Sequence, residues 1–135
     1  MKKRMVLAGL LVFSIAIAGA AALAGRRPFR DLRASDIVSA EVHLAPPDKT
    51  ISITEIPELV SYLNEAVVYN QDDSYHDYCG QGVIFSLTMS DGSQKEIMAY
   101  NPFLVIDGVG YRTKYEPCEK LNHYANQLLS EAGQT

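Results

Sequence analysis

A chain of 135 residues with 12 basic and 16 acidic side chains and 47% hydrophobic residues holds one domain, or one domain plus an appendage, around one modest core. Its acidic balance, with no basic stripe, speaks against nucleic acid as a partner, because neutralised phosphates supply most of such affinity. No Gly-x-Ser-x-Gly, His-Glu-x-x-His, Cys-x-x-Cys or P-loop pattern occurs, so there is no catalytic motif and none for a cofactor or a metal.

The appendage is N-terminal. Lys2, Lys3 and Arg4 form a basic start, and from Met5 to Ala24 no residue is charged. Ala22-Leu23-Ala24 presents the small-x-small pattern that a signal peptidase accepts. Residues 1–27 therefore read either as a signal peptide cleaved near Ala24 or as a retained anchor, since 20 uncharged residues also suffice to span a bilayer. Arg26, Arg27 and Arg30 follow on the far side, so charge does not decide between the two. Both readings place the rest of the chain outside the cytoplasm, secreted or held at the membrane. Losing the first three of the 12 basic residues leaves nine against 16 acidic ones, a formal −7.

Residues 28–35 read as a linker and 36–132 as a single domain. Asp36 to Leu44 alternates, with Val38, Ala40, Val42 and Leu44 on one face, the period of a half-buried strand. Pro46-Pro47-Asp48-Lys49 is a turn, and Thr50 to Thr54 alternates again, which completes a hairpin. The period then lengthens. Ile56, Leu59, Val60, Leu63, Ala66 and Val67 share one helical face, with Pro57 in the first turn, where a missing N–H is tolerated.

Asn70 to Gly82 has no period; a stretch of this length is either functional or mobile. Strands resume at Val83 to Met89 and Gln94 to Tyr100 around Asp91-Gly92, then at Phe103 to Asp107 and Tyr111 to Tyr115 around Gly108-Val109-Gly110. A last helix starts near Pro117, with Leu121, Tyr124, Ala125, Leu128 and Ala132 inward. The order β-β-α-β-β-β-β-α predicts an α+β fold: a curved antiparallel sheet with two helices on one face.

The run Lys49-Thr-Ile-Ser-Ile-Thr-Glu-Ile-Pro-Glu-Leu, the Ser90-Asp-Gly-Ser turn and Phe103-Leu-Val-Ile-Asp-Gly-Val-Gly-Tyr resemble small exported domains of Gram-positive bacteria, over about residues 36–130. That resemblance implies an extracytoplasmic α+β domain and brings no activity, ligand or catalytic residue with it. The element order is also similar to one repeat of the TATA-binding-protein-like fold with an added first strand, a likeness of topology that implies nothing about DNA.

Three constellations could carry chemistry. Cys79 and Cys118 are candidates for a disulfide in an oxidising compartment; it would close a loop of about 40 residues, for roughly 4 kcal/mol. The same cysteines with His76 and His123 offer a weaker zinc reading, and Cys118 at a helix start a reactive-thiol reading. In the aperiodic stretch, Tyr69, Asp72, Asp73, Tyr75, Asp77 and Tyr78 mix large rigid rings with short polar groups, as binding loops do. A solvated acidic loop with one or two tyrosines folded back on the sheet is the competing expectation, and calcium is a lesser one. Ser86 and Thr88 on the exposed sheet face, with Arg112 and Lys114 nearby, form a second candidate surface.

The reading that follows is a non-enzymatic extracytoplasmic binding or regulatory module. Its partner would be an envelope protein, a peptide or a cell-wall component, with the membrane engaged through residues 5–24 if they are retained. The alternatives are an accessory or sensory subunit of a membrane complex and, with least support, a small hydrolase or thiol enzyme.

Overall fold

The computed structural model describes residues 24–133. Of the signal or anchor stretch, residues 1–27, the first 23 lie outside them. Among the described residues no helix is long and apolar enough to cross a membrane.

The elements are β1 (Ile37–Ala45), β2 (Lys49–Ile53), α1 (Ile56–Glu65), β3 (Val68–Gln71), β4 (Gly82–Met89), β5 (Gln94–Tyr100), β6 (Phe103–Ile106), β7 (Val109–Thr113) and α2 (Tyr115–Ala132). All seven strands join one antiparallel sheet in the order β2-β1-β4-β5-β6-β7-β3. The α+β architecture and the order of elements agree with the sequence pattern, and β3 is an addition. It has four residues, of which only Val68 is buried, and this is too short for a period to show.

Both helices pack on one face, and a pile of rings shows how. Phe85 of β4 lies parallel to Tyr124 of α2 at 6.3 Å, and Tyr62 of α1 rests on Tyr124 at 5.0 Å. Leu59, Val60 and Leu63 of α1 and Leu121 and Ala125 of α2 meet Val42, Leu44, Val83, Leu87, Ile97, Ala99 and Leu104 of the sheet in one buried cluster. Burying that surface is the main force holding the layers together.

Two expectations are corrected. Val38 does not share the core face of β1. The pairing with β4 shifts register between Ile37 and Ser39, and such an irregularity reverses which side chains face inward. Ile37 is 7% exposed and Val38 68%. Second, residues 28–35 are packed into the domain and do not form a free linker. Phe29 is buried in the core cluster. The Asn64 amide of α1 donates to the carbonyls of Phe29 (2.7 Å) and Leu32 (3.1 Å), and Arg27 donates twice to the Asn64 carbonyl. Arg26 exchanges backbone hydrogen bonds with Val68 at 2.9 and 2.8 Å, so the chain is already paired with β3 two residues after Ala24.

Candidate functional site

Strand β6 reads Phe-Leu-Val-Ile, apolar without alternation. Leu104 faces the helices, so Phe103 and Val105 face the opposite side of the sheet, yet both are buried, at 0% and 6% exposure. What covers them is the aperiodic stretch. A short 3-10 helix, Ser74–Asp77, lies within it and lays its rings over β6. Tyr78 meets the Phe103 ring edge-on at 5.2 Å, Tyr75 lies 6.4 Å from it, and the Arg112 guanidinium sits 4.7 Å over it.

Polar bonds fix this loop to β7. The Asp72 amide donates to the Gly110 carbonyl at 2.8 Å, and the Gly110 amide donates to the Asp73 carboxylate at 2.8 Å. Glycine is required at that position: a Cβ there would lie 2.5 Å from the Asp72 carbonyl oxygen and 2.8 Å from the Tyr75 ring. Asp72 accepts from the Ser74 amide at 2.9 Å and from Arg112 Nε at 2.8 Å. The bonds from Ser74, followed by the hydrogen bond from Arg112, lower its pKa from 3.8 to about 2. At the far end Gln81 donates to the Pro46 carbonyl and exchanges amide hydrogen bonds with Asn126 of α2.

Between loop and sheet remains a cleft of about 480 Å³, walled by Ala45, His76, Tyr78, Cys79, Met98 and Tyr100. His76 is exposed and its ring lies 4.0 Å from that of Tyr75; Tyr78 keeps half of its surface in solvent. Past Tyr78 and Tyr100 a smaller hollow of about 250 Å³ continues toward the amides of Gln81, Asn101 and Asn122. The side chains brought together can grip a ligand by ring contact and hydrogen bonding.

The candidate residues thus divide. Asp72, Asp73, Tyr75 and Tyr78 act together, the first two as ties and Tyr75 chiefly as cover. Asp77 is exposed at the end of the 3-10 helix. Tyr69 stands apart in β3, its ring close to Gly25. Phe103 and Gly110 belong to the site although the sequence reading did not include them, and Arg112, expected on the second candidate surface, joins them here. The unbroken apolar run of β6 carried the signal, since such a strand is covered on both faces. Ser86, Thr88 and Arg112 belong to strands, whereas Lys114 caps α2 and, with Arg27 and Lys120, borders a different cavity.

Cys79 and Cys118 are both free: the first is exposed on the loop, the second buried in α2 with its thiol 3.6 Å from the Phe103 carbonyl. The pairing expected from the sequence is not made in this arrangement. Burial, then the Glu119 charge, pushes the Cys118 thiol up to about 12, opposite to the activation that a helix start offers. The zinc reading loses its geometry as well: among the described residues no three His, Cys, Asp or Glu side chains are gathered for a metal ion. His123 instead borders a groove between the helices.

Compared with protein-family models, with curated proteins and with solved structures, the chain matches none.

Proposed function

We propose that the chain is a non-enzymatic extracytoplasmic binding or regulatory module whose recognition surface is the docked loop and the cleft beside it. The observation that carries this reading is the loop's construction. Thirteen residues without a period are tied by Asp72, Asp73 and Gln81 into one shape that still presents Tyr78, His76 and Tyr100 around an open cleft. Rings held in place before binding lose little freedom on contact, which favours affinity. The partner is an envelope protein, a peptide or a cell-wall component, met outside the cytoplasm where residues 1–24 deliver or hold the domain.

Photo-crosslinking from position 76 of the full chain in its native envelope tests the reading. The Tyr78→Ser and Tyr100→Ser variants, each checked for native folding by thermal melting, are expected to lose the captured species. If both remain folded and capture the same species in the same yield, the cleft is not the recognition surface.

A second reading, an accessory subunit of a membrane complex, draws on the other end of the fold. The backbone pairing of Arg26 with Val68 leaves no slack after Ala24. An uncleaved segment 5–24 would hold the domain directly at the bilayer, next to the membrane parts of neighbouring proteins. Replacing residues 1–24 by a cleavable signal should then abolish co-purification of the complex; undiminished recovery would rule this reading out.

A further inference from the structure

On the helix side of the sheet, α1 and α2 border a groove of about 610 Å³ that the reading above does not use. One wall is the Tyr62 ring, the outermost of the pile that passes through Tyr124 to Phe85 and is therefore held from beneath. Another is Tyr115, the first residue of α2, 62% exposed. Glu65, Glu116 and Glu119 border these rings together with one ammonium, Lys120. Lys120 is engaged by Glu65 at 3.2 Å. Glu119 accepts a hydrogen bond from the neutral Asn101 amide at 3.2 Å, which leaves its charge uncompensated. Among the described residues neither Glu116 nor Glu119 makes an ion pair, although Arg27, Lys114 and Lys120 border Glu116 in the neighbouring cavity, and both carboxylates lie beside the two tyrosine rings.

The geometry points to a docking site for a basic segment of a protein partner, whose lysine or arginine side chain lies against Tyr62 and Tyr115 with its charge met by Glu116 and Glu119. A ring face attracts a cation through its quadrupole, and a carboxylate at the ring edge adds to that attraction. The groove takes its walls from Ser61 to Glu65 of α1 and from Tyr115 to His123 of α2 and is larger than one side chain needs, which suits a stretch of peptide more than a single small amine. It lies across the sheet from Tyr75 and Tyr78, so this partner and a ligand of the loop cleft can be bound together.

The test uses the full-length protein in neutral detergent and a fluorescent hexa-arginine peptide, with a hexa-serine peptide and arginine amide as comparators, read by anisotropy. Hexa-arginine is expected to bind, hexa-serine not, and arginine amide far more weakly. The variant Tyr115→Ser with Glu116→Gln and Glu119→Gln is expected to weaken binding by about fivefold or more. A control that removes the same charge at exposed positions elsewhere, Glu41→Gln with Glu131→Gln, is expected to change it by less than about twofold. Equal weakening by both variants would show attraction to the net charge alone and overturn the proposal. So would unaltered binding by the groove variant, tight binding of arginine amide, or no binding of hexa-arginine. A Tyr115→Phe variant keeps the ring and should retain binding, which separates loss of the ring from loss of folding.

Discussion

Asp72 and Arg112 stand 40 residues apart in the chain and meet at 2.8 Å, with the guanidinium also lying over the ring of Phe103. One arginine thus joins the polar tie of the loop to the apolar surface the loop covers. Coupled contacts of this kind are not additive, and losing the central member affects both. Arg112→Ala is expected to release the loop while the helix-side core stays intact. Amide exchange should speed up at residues 72–81 and remain slow in β4 and β5. Arg112→Lys should give an intermediate result, because an ammonium lacks the planar fork that pairs and stacks at once. Unchanged protection of the loop in Arg112→Ala would show that Asp73 and Gln81 suffice to hold it.

The lowered pKa of Asp72 sets a pH window for the same contact. A carboxyl whose folded pKa lies below its unfolded value stabilises the docked form fully above the unfolded value, near 3.8, and ceases to do so as pH falls through the folded value, about 2. The loop should therefore remain docked from neutral pH to about 4 and loosen between about 4 and 2. The Asp72→Asn variant should show loosening already at neutral pH, with a weaker dependence in that window. Tyrosine ring signals of Tyr75 and Tyr78 followed by NMR against pH would report it; loosening complete above pH 5 would contradict the assignment.

Reagents should separate the two cysteines. Cys79 is exposed and Cys118 is 1% exposed with its pKa pushed up to about 12, so its thiolate is scarce at neutral pH. Iodoacetamide is expected to add one group to the native protein, at Cys79, and two after denaturation, as read by intact mass. No addition before reduction and two after it would instead establish a disulfide, and the loop would then have to reach α2 by a different path.

Tyr124 is 2% exposed, and its hydroxyl is buried without a hydrogen-bond partner among the described residues. An unsatisfied buried hydroxyl opposes folding, whereas the ring itself packs between Tyr62 and Phe85. Tyr124→Phe keeps the ring and removes the hydroxyl, so its stability is expected to equal or exceed that of the parent by up to about 1 kcal/mol. Tyr124→Ala should cost about 3–5 kcal/mol, in the range of large aromatic truncations. Denaturant melts of the two variants would check both; a Phe variant destabilised by more than about 1 kcal/mol would mean that the hydroxyl has a partner.

Local pattern determined much of the architecture. The periods of Val83 to Met89 and of Ile56 to Leu63, the Asp91-Gly92 turn and the proline in the first turn of α1 each act over a few residues, so the chain displays them in order, whereas Ala66 and Val67, expected on the same helical face, lie beyond the end of α1 at Glu65. Tertiary contact decided the rest. A shift in pairing with β4, distant in sequence, turned Val38 outward and Ile37 inward. Phe29 became core because Asn64 holds the chain at Phe29 and Leu32 and accepts from Arg27 before it. The aperiodic stretch took one shape because Phe103 and Val105 needed cover and Arg112 was in reach of Asp72. Which cysteine became inert was settled by where α2 meets β6. Periodicity is a property of neighbours along the chain. The shape of a segment that lacks it depends on a surface assembled from residues far away in sequence, and that surface exists only once the sheet has formed.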